Sequence, residues 1–229
     1  MSHDDNKNPD KGLNWGQLDS FEDKSTHPYL VAWKNESEIW EQFRNGSEQA
    51  IIFVYRTYSN KLFNYGCQFT TKREIVEDCI QDLFIDLINR KKSLGKVASI
   101  KFYLFKSLRY MLLRELKKQR KLAFKESFDS DQDFLINVSH EIKLINEQFS
   151  RDQKKLIKKY LNQLPPFQRE ALLLYFYEGL SYRQIADMMQ TGKVKSTRAL
   201  VYRAISSLSN FLESHKDKLI TIFFIRNIL

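Results

Sequence analysis

Residues 164–211 constrain the fold most strongly, because prolines, glycines and capping residues divide this stretch into three short helices. Pro165 and Pro166 precede a run rich in alanine, leucine and aromatic residues, and Gly179 follows that run. Proline suits the first turn of a helix, and glycine suits the residue just past its end. The prolines before the run and the glycine after it predict a first helix over residues 167–178.

The next two helices are indicated by a serine and a glycine. Ser181 predicts an N-cap, and Gln184 three residues later completes a capping box. Gly192 marks a tight turn, after which Val194 and later apolar residues recur at helical spacing, so we expect Val194 on the buried side. Two helices joined in this way predict a helix-turn-helix, which places its second helix in a DNA major groove.

The third of these helices carries a second, cationic face. Lys195, Arg198, Ala199 and Tyr202 lie three or four residues apart, so they project together and away from the apolar side. The alternative is an ordinary helical hairpin whose basic face is merely solvated. A net charge of +9 on 229 residues favours a polyanionic partner such as DNA.

The distribution of proline favours an all-α fold for the rest of the chain. No proline lies between residues 29 and 164, and apolar residues recur there at helical spacing. This pattern predicts helices over residues 37–45, 48–69, 72–89 and 100–122.

Changes in composition predict two helical domains joined by a flexible acidic linker. Aspartate and glutamate dominate residues 123–150, where helical periodicity is weak. We expect, in chain order, a flexible polar lead-in over residues 1–30, a helical domain over 31–122, the linker over 123–150, a helix-turn-helix domain over 151–214 and an apolar tail over 215–229.

Cysteine and histidine usage argues against a disulfide or a metal site. Cys67 and Cys79 lie in apolar helical segments, no N-terminal signal peptide is evident, and the four histidines are scattered. We expect a cytoplasmic protein with reduced thiols and no metal or cofactor. Residues 219–229 are apolar but too short to span a bilayer, so we expect them to pack on the protein, cover a DNA-binding face or contact a partner.

Three aspartates recur every four residues on the helix predicted over residues 72–89. Asp78, Asp82 and Asp86 form this acidic stripe, away from the apolar side of the helix. Carboxylates at this spacing can bind a metal or act as acid and base, but the chain has no nucleophile elbow, glycine-rich phosphate loop or companion carboxylate cluster. We therefore expect no enzyme activity and interpret the stripe as a solvated face or a protein-docking face.

The helix predicted over residues 100–122 carries the densest positive charge in the chain. One line along it, separate from its apolar stripe, consists of Lys106, Tyr110, Arg114, Lys117 and Lys121. A row of cations with a tyrosine suits phosphate contacts and stacking on an unpaired base. The alternative is that these long side chains only surround a core helix and keep their charges in water.

Three motifs follow one another along the chain. They are residues 77–84 (Glu-Asp-Cys-Ile-Gln-Asp-Leu-Phe), 102–109 (Phe-Tyr-Leu-Phe-Lys-Ser-Leu-Arg) and 180–186 (Leu-Ser-Tyr-Arg-Gln-Ile-Ala). In this order and spacing they resemble bacterial sigma factors of the extracytoplasmic-function type, over about residues 39–212. The first resembles the helix that docks on core RNA polymerase, and the second the helix that melts and reads the minus-10 promoter element. Residues 194–204 resemble the helix that reads the minus-35 element as duplex.

The resemblance implies three sets of functional residues. For binding core RNA polymerase it implies Asp78, Gln81, Asp82, Phe84 and Asp86. For binding minus-10 DNA it implies Lys106, Arg109, Tyr110, Arg114, Lys117, Lys118 and Lys121. For binding minus-35 DNA it implies Arg183, Lys193, Lys195, Ser196, Thr197, Arg198, Tyr202 and Arg203.

The resemblance also implies a function and partners. It predicts a protein that binds core RNA polymerase and directs promoter recognition and transcription initiation at a specific gene set, with an anti-sigma factor as inhibitor and no catalytic residues, cofactor or small-molecule substrate. One alternative is a helix-turn-helix transcription regulator with an N-terminal sensing or interaction domain, but it leaves the acidic stripe and the basic helix unexplained. Another is a nucleic-acid enzyme that uses Asp78 and Asp82 with a divalent metal.

Overall fold

Eight α-helices form the part of the chain that the structure, a computed structural model, describes: residue 33, residues 35–122 and residues 151–214. They are α1 (Glu36–Arg44), α2 (Glu48–Gly66), α3 (Arg73–Asn89), α4 (Ile100–Leu122), α5 (Arg151–Gln163), α6 (Pro166–Phe176), α7 (Tyr182–Met189) and α8 (Val194–Ser214). A 3-10 turn (Lys91–Ser93) follows α3. No strand occurs among these residues, so the all-α prediction is confirmed.

Side-chain caps explain where several helices begin. Asn35 accepts a hydrogen bond from the backbone N–H of Glu38 at 2.9 Å at the start of α1. The capping box predicted for α7 is present: the Ser181 Oγ accepts from the N–H of Gln184, and the Gln184 Oε1 accepts from the N–H of Ser181. These bonds satisfy backbone donors that a helix leaves without a partner in its first turn.

Helices α1 to α4 pack around one buried core. Fully buried residues from all four helices contribute to it, including Phe43, Leu62, Leu87 and Leu112. The close packing of α2 on α3 depends on Gly66, because a Cβ atom placed there would collide with the Val76 side chain. The packing of α2 on α3 therefore requires glycine at this position.

Helices α5 to α8 form the second group, and α6 packs along α8. Tyr160 of α5 stacks on Phe211 of α8 with 5.8 Å between ring centroids. The buried guanidinium of Arg169 donates to three carbonyl oxygens at the end of α5, those of Leu161, Asn162 and Leu164. One side chain thus satisfies backbone acceptors that the end of a helix leaves exposed.

Some predicted helix ends differ from the observed ones. Helix α2 ends at Gly66 rather than at residue 69, since Phe69 turns back and packs edge-on against Tyr65 in the core. Helix α6 ends at Phe176, three residues before Gly179, which adopts a left-handed φ of +66°. Helix α5 lies in the predicted helix-turn-helix domain, but the sequence pattern did not delimit it.

The predicted lead-in (1–30), acidic linker (123–150) and apolar tail (215–229) lie outside the described residues, so their boundaries stay predictions. Among the described residues, α4 of the first group touches α7 of the second. Within the described ranges, no helix combines the length and the apolar character needed to cross a membrane.

Candidate nucleic-acid interface

The helix-turn-helix predicted from the sequence is formed by α7, a four-residue turn and α8. Gln190 takes a left-handed φ of 55° after α7, and Gly192 takes a φ of +78° before α8. The two helices pack directly on each other. We call α8 the recognition helix. This geometry leaves one of its long faces directed away from the core.

Seven of the eight residues predicted to bind minus-35 DNA are exposed. They are Arg183, Lys193, Lys195, Ser196, Arg198, Tyr202 and Arg203. Six of these lie on or just before the recognition helix, and Arg183 lies in the first turn of α7. The structure therefore gathers a cationic surface at the helix-turn-helix, with a tyrosine on it.

The side chain of Thr197 contradicts the predicted role in contacting DNA. It is 0% exposed, and its Oγ1 lies 2.6 Å from the Oγ1 of Thr191 in the turn. Val194, expected on the buried side, is instead 41% exposed. The buried stripe of α8 thus begins at Thr197 and continues at Val201, and the threonine pair fixes the turn rather than touching a ligand.

A stack of rings supports Arg198 on this surface. Its Cζ lies over the Tyr182 ring, 5.3 Å from the centroid. The Tyr182 ring also stacks on the Tyr175 ring, with 4.4 Å between centroids and 13° between planes. Burial raises the pKa of Tyr182 to about 12, and Tyr175 adds to the shift. Sequence reasoning did not single out Tyr182, because the partners in the stack come from three different helices.

Five of the residues predicted to bind minus-10 DNA are exposed on α4. They are Lys106, Tyr110, Arg114, Lys117 and Lys118. Lys118 lies 3.8 Å from a carboxylate oxygen of Glu115, one helical turn away. The side chain of Lys121 lies outside the described residues. The outer part of α4 thus presents cations and one aromatic ring together.

Arg109, also predicted to bind minus-10 DNA, is held in a buried ion pair with the second helical group. Its Nε and Nη2 donate to the two carboxylate oxygens of Glu170 in α6, at 2.7 and 3.1 Å. The Tyr65 hydroxyl donates to the same carboxylate at 2.7 Å. Arg109 and Glu170 are only 13% and 5% exposed at their side chains. In this arrangement Arg109 is not accessible to DNA.

The pKa values of this buried cluster follow from its contacts. Burial raises the pKa of Tyr65 well above its usual value, and the charge of Glu170 raises it further. Burial alone would lower the pKa of Arg109, but Glu170 outweighs that effect and the pKa is raised. Tyr65 therefore stays a neutral donor and Arg109 stays a cation.

Two further cations of α4 meet carboxylates of the second group. Lys106 lies 2.7 Å from Asp187 of α7, and Lys101 lies 2.8 Å from Glu178 in the loop after α6. Burial raises the pKa of Glu178, while Lys101 opposes the shift. Together with the Arg109–Glu170 pair, these two pairs join one face of α4 to three acidic residues of the second group. The sequence did not reveal these three acids, because each lies more than sixty residues from its partner.

The acidic stripe on α3 is accessible to a partner. Asp78 and Asp82 are exposed, as is Gln81, and Asp86 is bonded to Arg90 one turn further along. Phe84 is the exception among the predicted polymerase-binding residues, because it is 1% exposed and packs edge-on against the Tyr55 ring. We correct its role from direct contact to supporting α3 from within the core.

No group of three or more histidine, cysteine, aspartate or glutamate side chains in the described part of the chain is placed to hold a metal ion. The site is instead a set of surfaces: cations on α4 and α8, and carboxylates on α3. Side chains of this kind bind phosphates and proteins through charge and hydrogen bonds.

Comparisons with known proteins show which family this chain is similar to. The family model described as Sigma-70, region 4, matches residues 154–208, the segment that holds the helix-turn-helix. The ECF RNA polymerase sigma factor SigM of Bacillus subtilis is 22% identical over 151 residues, which cover 66% of this chain and 88% of that protein. The ECF RNA polymerase sigma-E factor of Haemophilus influenzae is 21% identical over 182 residues, covering 78% and 95%.

A solved structure has a similar fold. It is the sigma factor RpoE in complex with the anti-sigma factor NepR from Bartonella quintana. The TM-score is 0.51 at 23% sequence identity, and the match covers 74% of this chain and 98% of that one.

Proposed function

We propose that the chain is a bacterial RNA polymerase sigma factor of the extracytoplasmic-function type. We further propose that its two helical groups divide promoter recognition between them. As a sigma factor it binds core RNA polymerase and directs transcription initiation at promoters. The observation that carries the division of labour is the presence of two separate cationic surfaces, one on each helical group.

The recognition helix is assigned to the minus-35 element. Lys195, Arg198 and Tyr202 recur along its exposed face, so they can reach the same groove of a duplex. Arginine can donate two parallel hydrogen bonds to a guanine edge or to a phosphate, whereas lysine supplies a point charge. We therefore assign base reading to Arg198 and phosphate contact to Lys195.

The exposed part of α4 is assigned to the minus-10 element. Arg114 and Lys118 can bind phosphates of the strands where they part, and the exposed ring of Tyr110 offers a flat surface on which an unpaired base can stack. Unstacking a base costs a few kcal/mol, which stacking on protein can offset.

The three ion pairs between α4 and the second group suggest how promoter binding begins. Three cations of α4 are paired with carboxylates of the second group: Arg109 with Glu170, Lys106 with Asp187 and Lys101 with Glu178. A phosphate is an acceptor of the same kind as a carboxylate, so DNA and these acids compete for the same donors. We propose that this part of α4 separates from the second group before Arg109 and Lys106 engage minus-10 DNA.

The acidic stripe is assigned to core RNA polymerase. Asp78 and Asp82 are exposed on α3, together with Gln81, and the buried Phe84 beneath them keeps the helix in place. An exposed carboxylate face is repelled by DNA and attracted by a cationic protein surface. An anti-sigma factor is the proposed inhibitory partner, because the solved structure with a similar fold is a complex with one. We propose no catalytic chemistry for the chain itself.

The test of the proposal is promoter binding by reconstituted holoenzyme as a function of salt. Affinity falls as salt rises, and each lost cation–phosphate contact should make the slope of log affinity against log salt less steep by about one. Lys195→Ala and Lys118→Ala should each show this change. Lys72→Ala, which removes an exposed cation at the start of α3, is the matched control and should leave the slope unchanged. An unchanged slope in both test variants would contradict the assignment of the two surfaces.

A further inference from the structure

The stack beneath Arg198 joins three helices at the DNA-facing surface. Tyr175 comes from α6, Tyr182 is the first residue of α7, and Arg198 lies in the second turn of the recognition helix. The two rings are nearly parallel, 13° apart, and the guanidinium carbon lies over the outer ring at 5.3 Å. Tyr182 thus contacts both an aromatic ring and a guanidinium.

The middle ring is held from several directions. Ser181, directly before it, forms the capping box with Gln184, which fixes the backbone at the start of α7. The Tyr175 ring stacks on it, and Tyr182 is half-buried. An aromatic pair in this geometry adds to the stability that burial alone provides. Tyr182 is therefore a rigid platform, in contrast to the long side chain above it.

Stacking on a ring suits an arginine that reads DNA. The guanidinium uses its flat face to contact the ring, whereas its N–H donors point outward in its own plane. Those donors remain available for a phosphate or for the edge of a guanine. The ring also restricts a side chain that would otherwise lose much rotamer freedom on binding.

We infer that Tyr182 is a positioning residue for minus-35 recognition, which orients the Arg198 guanidinium toward the groove before DNA arrives. The inference rests on the proposed role of the recognition helix. The pKa of Tyr182, raised to about 12 chiefly by burial, means that the ring is neutral at physiological pH. The attraction therefore comes from the ring face rather than from a phenolate charge.

A double-mutant cycle tests this role. The protein is reconstituted with core RNA polymerase, and its affinity is measured for a duplex taken from upstream of a start site that the holoenzyme itself uses. The four forms are wild type, Tyr182→Met, Arg198→Ala and the double variant. Methionine keeps a helix-forming, apolar side chain against Tyr175 but has no ring face.

Arg198→Ala should weaken promoter affinity about tenfold, the effect of losing one good contact to a base. Tyr182→Met should weaken it about three- to fivefold, and it should have no further effect once Arg198 is absent. Tyr182→Phe, which keeps the stack and removes only the hydroxyl, should stay within about twofold of wild type.

Two results would overturn the positioning role. One is an unchanged affinity in Tyr182→Met while Arg198→Ala weakens binding. The other is a Tyr182→Met effect that multiplies with that of Arg198→Ala, because independent effects mean that Tyr182 touches DNA itself. Failure of Arg198→Ala to weaken binding would instead overturn the proposed minus-35 surface. Thermal unfolding monitors the fold, and Tyr182→Leu replaces Tyr182→Met should the methionine variant unfold at the assay temperature.

Discussion

Replacing Glu170 by glutamine tests the buried contact between the two helical groups. The carboxylate accepts two hydrogen bonds from Arg109, at 2.7 and 3.1 Å, and one from Tyr65 at 2.7 Å. Glutamine has nearly the same shape but carries no charge, and its amide nitrogen would face a donor. Glu170→Gln therefore leaves the Arg109 cation buried without a counter-charge.

The size of the effect follows from burial. Breaking a buried ion pair by removing one partner costs about 3–5 kcal/mol. The remaining amide oxygen keeps one hydrogen bond, which recovers about 1 kcal/mol. We expect Glu170→Gln to lower the free energy that holds the two groups together by about 2–4 kcal/mol.

The Lys106–Asp187 pair provides a matched control within the same interface. Its side chains are 47% and 55% exposed, so solvent screens the attraction. An exposed pair of this kind contributes about 0–1 kcal/mol. Asp187→Asn should therefore change stability much less than Glu170→Gln does.

Two measurements on the free full-length protein should move in opposite directions. Urea denaturation should show reduced stability in Glu170→Gln, and fluorescence anisotropy with a labelled duplex should show tighter DNA binding. Every 1.4 kcal/mol by which the competing contact weakens allows up to about a tenfold gain in affinity. Equal stability in Glu170→Gln and Asp187→Asn, or weaker DNA binding in Glu170→Gln, would refute the competition between carboxylate and phosphate.

Three other substitutions test local features of the fold. Because burial raises the pKa of Glu178 above 4.5, the folded state binds its proton more tightly than the unfolded chain, and stability should fall as pH rises through that pKa. Urea denaturation between about pH 4 and 7 should show this fall in wild type relative to Glu178→Gln; a constant difference would contradict it. Gly66→Ala should cost about 1–3 kcal/mol in the same assay, because the new methyl group meets Val76, and a neutral result would show that α2 and α3 can move apart. Ser181→Ala should cost about 0.5–2 kcal/mol by thermal unfolding through loss of the capping box, whereas Ser181→Gly should cost less.

Local signals in the sequence predicted most helices well. The observed bounds of α4, Ile100–Leu122, are those predicted, and the capping box at Ser181 is present. Helical periodicity and caps depend on residues within about four positions of one another, so a linear reading captures them. The same reading missed the end of α6, because Glu178 leaves the helix to meet Lys101 of the first group.

The phase of a helix was harder to predict than its existence. Either Val194 or Thr197 could occupy the first buried position of the recognition helix. Thr197 occupies it, because its hydroxyl reaches that of Thr191 in the turn. Phe84 fits the apolar stripe of α3 as well as the docking motif, and the structure places its ring in the core. A motif match transfers a position but not the direction of its side chain.

Contacts between the two helical groups could not be predicted from the sequence. Arg109 and Glu170 are 61 residues apart, and nothing in the local pattern distinguishes this arginine from the exposed Arg114 on the same helix. Cationic periodicity indicates that a face is polar, not whether water, DNA or a carboxylate covers it. The predicted set of minus-10 residues therefore mixed accessible cations with cations that are already paired.

Reconstitution with core RNA polymerase that lacks any sigma factor tests the central claim most directly. The full-length protein and the core enzyme are mixed, separated by size-exclusion chromatography and supplied with genomic DNA fragments and nucleotides. We expect a stable co-eluting complex and transcripts that begin at discrete positions, both of which the core enzyme alone lacks. Separate elution of the two proteins together with no discrete transcripts would contradict it.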